Sequence, residues 1–311
     1  MKLLITGGLG YIGSKLIEKL LKKDNEIHII DNQSTSISRK IEGCKIIIAD
    51  ITNFEDLKNK VSGNYDLVLH LAAQSSGPKS FEDPQLDISV NILGTVNIIQ
   101  LCNLNNIPKL IFASTFTVYG DHKTVNKYDE NLECNPKSLY GVAKLAAENY
   151  IKIFGEKYNI KWNILRMFNV YGPGQDLSRK DQGLVSIFLS YVHEGNYIPV
   201  HGSLERFRDV VFIDDVIDAV VTIVKKKKTN KNYNLLNIGR GKPIKVNKFL
   251  NYIKNNLNKK LIIKNVVKPK SDMSFTYSNN NKLKNLFQFK PKISLKNGVK
   301  NYVDWFKEYY L

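Results

Sequence analysis

Tyr140 and Lys144 stand four residues apart in Ser138-Leu139-Tyr140-Gly141-Val142-Ala143-Lys144-Leu145-Ala146-Ala147-Glu148, a helix-forming run. That spacing puts both side chains on one helix face. A nearby ammonium favours the phenolate, so a tyrosine tuned in this way can exchange a proton with a substrate hydroxyl near neutral pH. The same spacing also suits an exposed pair on a solvated face, and spacing alone does not choose between them. A second group of residues lies at the start of the chain, where Leu3-Leu4-Ile5 runs into Gly7-x-x-Gly10-x-x-Gly13 and then an amphipathic stretch. Strand, tight turn and helix is the order of a dinucleotide site. Gly7 permits the turn, Gly10 lets the backbone approach a pyrophosphate, and Gly13 lets the helix pack closely on the strand. Phosphates would sit on the unpaired N–H groups of the helix N-terminus. A glycine-rich turn can also be only a turn, but Glu26–Ile30 reads as a second strand and delivers Asp31 near the offset of a ribose ligand. Asp50 and Ile51, after the apolar run Cys44–Ala49, suit an adenine amine and an adenine face. Asp50 could equally cap a helix over 53–60.

These residues need a scaffold, and the hydrophobic pattern supplies one. Asp66–Ala73 reads as a fourth strand, with small Ala72 and Ala73 at its tip leaving room for a cofactor. A helix is expected around 86–106, and Leu110–Ser114 is a fifth strand. Strands alternating with helices imply a parallel sheet with helices on both faces. Ligands of such sheets bind at the carboxyl ends of the strands, where Gly7, Asp31, Asp50, Ala73 and Thr115 fall. A chain of 311 residues that is 43% hydrophobic can bury a sizeable core. It has no signal-peptide pattern and no apolar run near bilayer length, so a soluble cytoplasmic protein is expected. Cys44, Cys102 and Cys134 are odd in number and lack metal-ligand spacing, which suits reduced thiols. The five histidines form no cluster, so no metal is expected. The net charge of +17 raises the question of nucleic acid. Nearly all the cations are lysines spread along the chain, with one cluster at Lys225–Lys228, and the composition is also rich in Asn and Ile. That is a general bias rather than a binding stripe, and a helix C-terminus favours such lysines.

Thr6-Gly7-Gly8-Leu9-Gly10-Tyr11-Ile12-Gly13, His70-Leu71-Ala72-Ala73, Val118-Tyr119-Gly120, Tyr140-x-x-x-Lys144 and Phe168-Asn169-Val170-Tyr171-Gly172-Pro173 together resemble the extended short-chain dehydrogenase/reductases. Within them the chain is similar to the nucleotide-sugar 4-epimerases, and Arg206–Val216 is similar to their Arg-Asp segment. The resemblance runs over nearly the whole chain. It implies an α/β fold: a Rossmann-type doubly wound parallel sheet with a smaller α/β substrate-binding C-terminal lobe. Residues 1–167 with 212–240 would form the NAD-binding domain, and 168–211 with 241–311 the nucleotide-sugar lobe. Elements expected there are a strand over Lys161–Met167, a helix over 182–194, a strand Ile198–Val200 and a helix over 214–226. A strand Tyr233–Ile238, helices near 246–257 and 295–310, and a polar turn at Ser278–Asn281 complete the reading.

The resemblance also assigns roles. Tyr140 is the general base at the sugar 4-hydroxyl, Thr115 hydrogen-bonds the same oxygen, and Lys144 anchors the nicotinamide ribose while lowering the tyrosine pKa. C4 gives its hydride to NAD, and the 4-keto sugar turns over and takes it back on its other face. The cofactor shell would comprise Gly7, Gly10, Tyr11, Ile12, Gly13, Asp31, Asn32, Asp50, Ile51, Leu71, Ala72, Ala73, Asn91, Tyr140, Lys144 and Phe168. Asp31 would accept ribose hydroxyls and repel a 2′-phosphate, favouring NAD over NADP, and Arg39 reads as a loop residue. Asn169 and Arg208 match positions that bind the nucleotide diphosphate, and Arg206 is either a second contact or exposed. A further family arginine has no counterpart in Lys268–Asp272, where Lys268 or Lys270 could stand in without the fork geometry. The 4,6-dehydratases carry Asp-Glu where this chain has Phe116 and Thr117, which argues against dehydration. Aligning Asp272 with the family's Gly-Asp pair puts Thr276 at the gate to the sugar C2 substituent, and a slip by one would put Tyr277 there. The implied activity is a 4-epimerase of UDP-glucose/UDP-galactose and their N-acetylated forms, acting as a homodimer. Alternatives are an epimerase or 4-keto reductase of a GDP-, CDP- or dTDP-sugar, or a non-catalytic member that binds NAD or RNA.

Overall fold

Six short runs rich in Ile, Leu and Val become strands β1 (Lys2–Thr6), β2 (Glu26–Asp31), β3 (Cys44–Ile48), β4 (Leu67–His70), β5 (Lys109–Thr115) and β6 (Lys161–Met167). Later in the chain come β7 (Asn169–Tyr171), β8 (Ile198–His201), β9 (Phe207–Arg208), β10 (Val210–Phe212), β11 (Tyr233–Ile238), β12 (Ile244–Lys245) and β13 (Ile263–Val266). The computed structural model describes residues 1–23, 25–36, 40–122, 127–181, 183–195, 197–226, 233–267, 273 and 275–311. Arg39, Lys227, Lys228 and the segment Lys268–Asp272, on which expectations were placed, lie outside the described residues.

Seven strands form one sheet in the order β11-β6-β5-β4-β1-β2-β3, with every pairing parallel. Both faces of such a sheet are covered, so its strands are apolar throughout rather than alternating. In β1, Leu3 and Ile5 enter one core while Leu4 enters the other. Helices Tyr11–Leu21 and Ile213–Lys225 pack together on the first face. Helices Phe54–Lys60, Gly94–Leu104 and Leu139–Lys157 pack on the second. Strand order reverses between β1 and β4, which opens a crevice at their carboxyl ends. This is the Rossmann-type doubly wound sheet that the sequence implied.

The remaining elements sit beyond the strand ends. β7 pairs with β10 and β8 with β13, both parallel, and β9 pairs antiparallel with β12. Helices Leu184–His193, Val246–Leu257 and Leu295–Tyr310 cover these small sheets, and the first core runs continuously from Leu3 to Phe306.

Several local expectations are corrected. Strand β4 stops at His70, so Ala72 and Ala73 lie in the loop after it. The helix expected around 86–106 is three pieces: Pro84–Ile88, a π-helical turn Ser89–Leu93, and Gly94–Leu104. A helix Gly77–Glu82 precedes them. Asp50 does not cap the helix that follows. Asn53 does, accepting from Asp56 N at 3.0 Å, because Asp50 Oδ1 is already taken by the amide and hydroxyl of Thr52. The polar segment Ser278–Asn281 turns inward: Ser278 is fully buried, drawn in by a carboxylate described below, and Asn281 begins a helix Asn281–Phe287. All three cysteines are free thiols. Among the described residues no helix is long and apolar enough to cross a membrane, and no group of His, Cys, Asp or Glu could hold a metal ion.

Candidate active site

The glycine turn has the shape its sequence implies. Gly7 adopts φ +67°, and a Cβ there would meet Ala72 N at 2.6 Å. A Cβ on Gly13 would lie 2.3 Å from Gly7 O, so the helix packs against the turn at a distance only glycine permits. Helix Tyr11–Leu21 has Gly10 as its N-cap with no side-chain cap bond, leaving its first amides to a ligand. The Asp31 carboxylate accepts from Leu9 N at 3.0 Å, Gln33 N at 2.8 Å and Ser36 Oγ at 2.8 Å. A carboxylate offers about four acceptor sites, so one remains for a ribose hydroxyl. Asn32 donates to Asp50 Oδ2 at 2.7 Å, and the Asp50 carboxyl is held below its ordinary value by bonds from Thr52 and Asn32 that outweigh its burial. Ile51 is buried, with its side chain where a Cβ on Gly94 would lie. Leu71, Ala72 and Ala73 are half-buried at the crevice. These residues fit a dinucleotide.

Tyr11 donates to Gly172 O at 3.0 Å, tying the glycine turn to the loop after β7. Asn91 is buried and donates to Gln74 O and Asp87 Oδ1, both at 2.9 Å. The Phe168 ring is buried and stacks on Phe116 with centroids 5.2 Å apart.

Helix Leu139–Lys157 starts at Ser138, whose hydroxyl accepts from Gly141 N at 3.1 Å. This cap fixes Tyr140 in the first turn of a helix that packs on β5 and on the turn after it, where the Thr115 side chain acts on its hydroxyl. Thr115 Oγ1 accepts from the amide and hydroxyl of Thr117, each at 3.2 Å. Lys144, one turn on, is 2% exposed, which removes the solvated-face reading of the pair. Its ammonium lies 3.9 Å from the centroid of the Phe112 ring.

The electrostatics differ from the expectation for Tyr140. Burial pushes its hydroxyl above the ordinary value, the neighbouring Thr115 side chain opposes this, and the Asp87 charge adds to it. Lys144 is pushed down to about 7 by burial, against the upward pull of Glu148 and then Asp87. The lysine is therefore the more strongly tuned of the two for work near neutral pH.

A buried polar layer under the site was missed in the sequence. Glu148, eight residues beyond Tyr140 on the same face, accepts from Arg166 Nε at 3.0 Å, Arg166 Nη2 at 2.7 Å and Ser114 Oγ at 2.5 Å. His70 Nδ1 lies 2.6 Å from Thr6 Oγ1 and His70 Nε2 lies 3.1 Å from Thr95 Oγ1. Thr95 gives its only hydroxyl proton to Asn91 O, so it accepts from His70, and the proton of the neutral ring is assigned to Nε2. Burial and the Lys144 charge push His70 down to about 3. The i, i+4 spacing of Lys144 and Glu148 was the available signal for the first group.

Three of the four expected substrate residues, Asn169, Arg208 and Thr276, come from different segments and meet around Asp209. Asn169 Nδ2 donates to Asp209 O at 2.8 Å, and Asp209 N donates to Thr276 Oγ1 at 2.9 Å. Arg208, 4% exposed, lies between them in sequence and donates to Phe207 O at 2.9 Å. The Asp209 carboxylate is the staple, accepting from Arg240 N, Gly241 N, Ser278 N and Ser278 Oγ. Thr276 is fully buried, with its hydroxyl already an acceptor, while Tyr277 is half-buried beneath Lys127. Arg206 binds His201 O and Ser203 O rather than standing free.

Comparison with known proteins agrees with this geometry. The profile of the NAD dependent epimerase/dehydratase family matches residues 3–239. A putative UDP-glucose 4-epimerase of Methanocaldococcus jannaschii is 33% identical over 98% of this chain and 98% of its own. A UDP-glucuronate 4-epimerase of Thermodesulfobacterium geofontis is 30% identical over 98% of this chain and 96% of its own. The crystal structure of a UDP-glucose 4-epimerase from Thermotoga maritima with UDP-glucose superposes with a TM-score of 0.90 at 30% identity, over 99% of both chains. The chain belongs to the NAD dependent epimerase/dehydratase family, within the extended short-chain dehydrogenase/reductases.

Proposed function

We propose that this protein is an NAD-dependent 4-epimerase of UDP-hexoses, accepting both plain and N-acetylated sugars. The observation that supports the reading best is the burial of Lys144 one helical turn beyond Tyr140, in a chain whose glycine turn is shaped for a dinucleotide. Bound NAD supplies the hydride acceptor and donor for the sugar C4. Tyr140 takes and returns the proton of the 4-hydroxyl, and Thr115 orients that oxygen. Lys144 holds the ribose. Phe116 and Thr117 put no acid beside the sugar, so nothing there removes water from it. Asn169 and Arg208 bind the diphosphate from the turn that Asp209 fixes.

Residues 1–167 with 212–240 serve as the NAD-binding domain, and 168–211 with 241–311 as the sugar-nucleotide lobe. The enzyme works in the cytoplasm as a homodimer, a compartment that keeps its free thiols reduced. Acceptance of N-acetylated sugars rests on the small size of Thr276 where a bulky residue would exclude the acetamide.

The test is incubation of the purified protein with UDP-galactose and UDP-N-acetylgalactosamine, without and then with added NAD. Conversion of both to their C4 epimers is expected. Conversion of neither would sink the UDP-hexose reading. A stoichiometric change in absorbance at 340 nm with a GDP-, CDP- or dTDP-sugar would instead mark a net oxidoreductase.

A further inference from the structure

Lys144 is a buried cation in a site that needs it charged, and the question is what balances it. Two carboxylates act on it through space without direct ion-pair contact, Glu148 on its own helix and Asp87 on the short helix Pro84–Ile88, which packs directly on helix Leu139–Lys157. Glu148 is already spoken for. Its two oxygens receive a bidentate Arg166 and the Ser114 hydroxyl, and the Arg166 guanidinium cancels its charge. The pull of Glu148 on Lys144 is thus shared with a permanent cation behind it.

Asp87 is different. It is 1% exposed, and its Oδ1 accepts from Gln74 Nε2 at 2.8 Å and Asn91 Nδ2 at 2.9 Å. Both donors are neutral amides, which orient the carboxylate without cancelling its charge. Its Oδ2 is buried with no hydrogen-bond partner. A buried carboxylate left in this condition is costly unless a cation lies near. Gln74 is itself clamped, with Nε2 on Ser76 O at 2.9 Å and Oε1 accepting from Ser76 N at 2.5 Å. The π-helical turn Ser89–Leu93 carries Asn91 inward to complete the grip. Two amides and an irregular turn thus hold one carboxylate oxygen and leave the other bare.

We propose that Asp87 is the buried counter-ion of Lys144, a positioning residue that keeps the lysine an ammonium where the cofactor ribose is expected. The ionisable groups around that ammonium are Glu148 and Tyr140 on its own helix, Asp87 on the packed helix and His70 on β4. His70 is neutral, Tyr140 is held as the phenol, and Glu148 is paired, which leaves Asp87 as the uncompensated charge. Burial holds the Asp87 carboxyl above its ordinary value, with Gln74, Asn91 and then the Lys144 charge pulling against it. The role of the ammonium rests on the function proposed above; the pairing itself does not.

The test uses the cofactor-free protein, so its outcome is independent of turnover. In lysine-labelled protein the 13Cε signal of Lys144, identified by its loss in Lys144→Met, should titrate near 7, apart from exposed lysines near ~10.4. In Asp87→Asn that midpoint should fall by about one pH unit or more, because loss of an opposite charge disfavours the ammonium. At pH 6, denaturation of Asp87→Asn, Lys144→Met and the double variant should be non-additive, the double losing less than the sum of the singles. An unmoved midpoint or additive losses would overturn the pairing. Should Asp87→Asn not fold, the Asp87 carboxyl is followed by 13C in wild type and Lys144→Met. An upward move on loss of the ammonium supports the proposal, and an unchanged midpoint overturns it.

Discussion

At the scale of single residues the site divides into groups that touch the reacting atoms and groups that set their charge. Tyr140 belongs to the first. Tyr140→Phe should retain NAD but lose turnover by ~100–10,000-fold, the usual contribution of positioned proton transfer. Lys144→Ala should weaken NAD retention as well as rate. Near-wild-type turnover in Tyr140→Phe would refute the acid/base assignment, and isothermal titration with NAD separates the two variants. His70 belongs to the second group and gives a prediction about stability. Its folded pKa of about 3 lies below the ordinary 6.5, so between these values the unfolded chain binds more protons than the folded one. Stability from this group is therefore complete above pH 6.5 and falls as pH drops toward 3. His70→Gln should flatten that part of the curve of urea midpoint against pH. An unchanged slope would mean that the ring is not held neutral. The sequence made Tyr140, Lys144, Gly7, Gly10, Gly13 and Asp31 legible because their chemistry is local: four residues on a helix, three in a turn, one at a strand end. It did not reveal Asp87 or His70, whose roles depend on partners brought from other elements by folding.

At the scale of elements the same division holds. Strands β6 and β11 and helices Val246–Leu257 and Leu295–Tyr310 match the sequence reading closely. Each is a periodic run with a clear start and stop. Helix Gly77–Glu82 and the π-helical turn were not legible, the first being short and opened by Gly-Pro, the second an irregularity inside a helical pattern. The burial of Ser278 was not legible because its inward pull comes from Asp209, 69 residues away. Helix Leu139–Lys157 is the element on which the chemistry depends, and its start is set by Ser138. Ser138→Ala removes the acceptor for Gly141 N and should cost about 0.5–2 kcal/mol. The first turn carries Tyr140, so kcat should fall with it while NAD affinity changes little. A variant with wild-type melting temperature would show that the cap is redundant. Gly141→Ala is a sharper probe of the same turn. Its Cβ would meet Pro136 Cβ at 2.9 Å and Thr117 O at 3.0 Å, which pushes the helix away from the end of β5. It should lose turnover even if it folds.

At the scale of the molecule, one outer face asks for a partner. Helices Gly94–Leu104 and Leu139–Lys157 lie side by side on the same face of the sheet. Val142, Tyr150 and Ile153 are 49%, 43% and 67% exposed, and Leu93 and Leu104 are 46% and 50% exposed. Offsets of eight and eleven from Val142, and of eleven from Leu93, keep each set on one helical stripe. Exposed apolar stripes on two adjacent helices are of the kind that a partner surface covers. A second copy presenting the same stripe would bury it in a two-fold, self-complementary contact. Charge opposes that association. Each chain carries +17, so two chains repel at long range, and the repulsion shortens with the Debye length, from ~30 Å at 0.01 M salt to ~10 Å at 0.1 M. The expected behaviour is therefore a dimer whose dissociation constant falls as salt is added, the reverse of an interface held by ion pairs. Light scattering after size exclusion at both salt concentrations measures this directly. Ile153→Glu, at the most exposed position of the stripe, should give a monomer at both without loss of fold. A monomeric wild type at 0.1 M salt, or an Ile153→Glu variant that stays dimeric, would show that the stripe is not the contact.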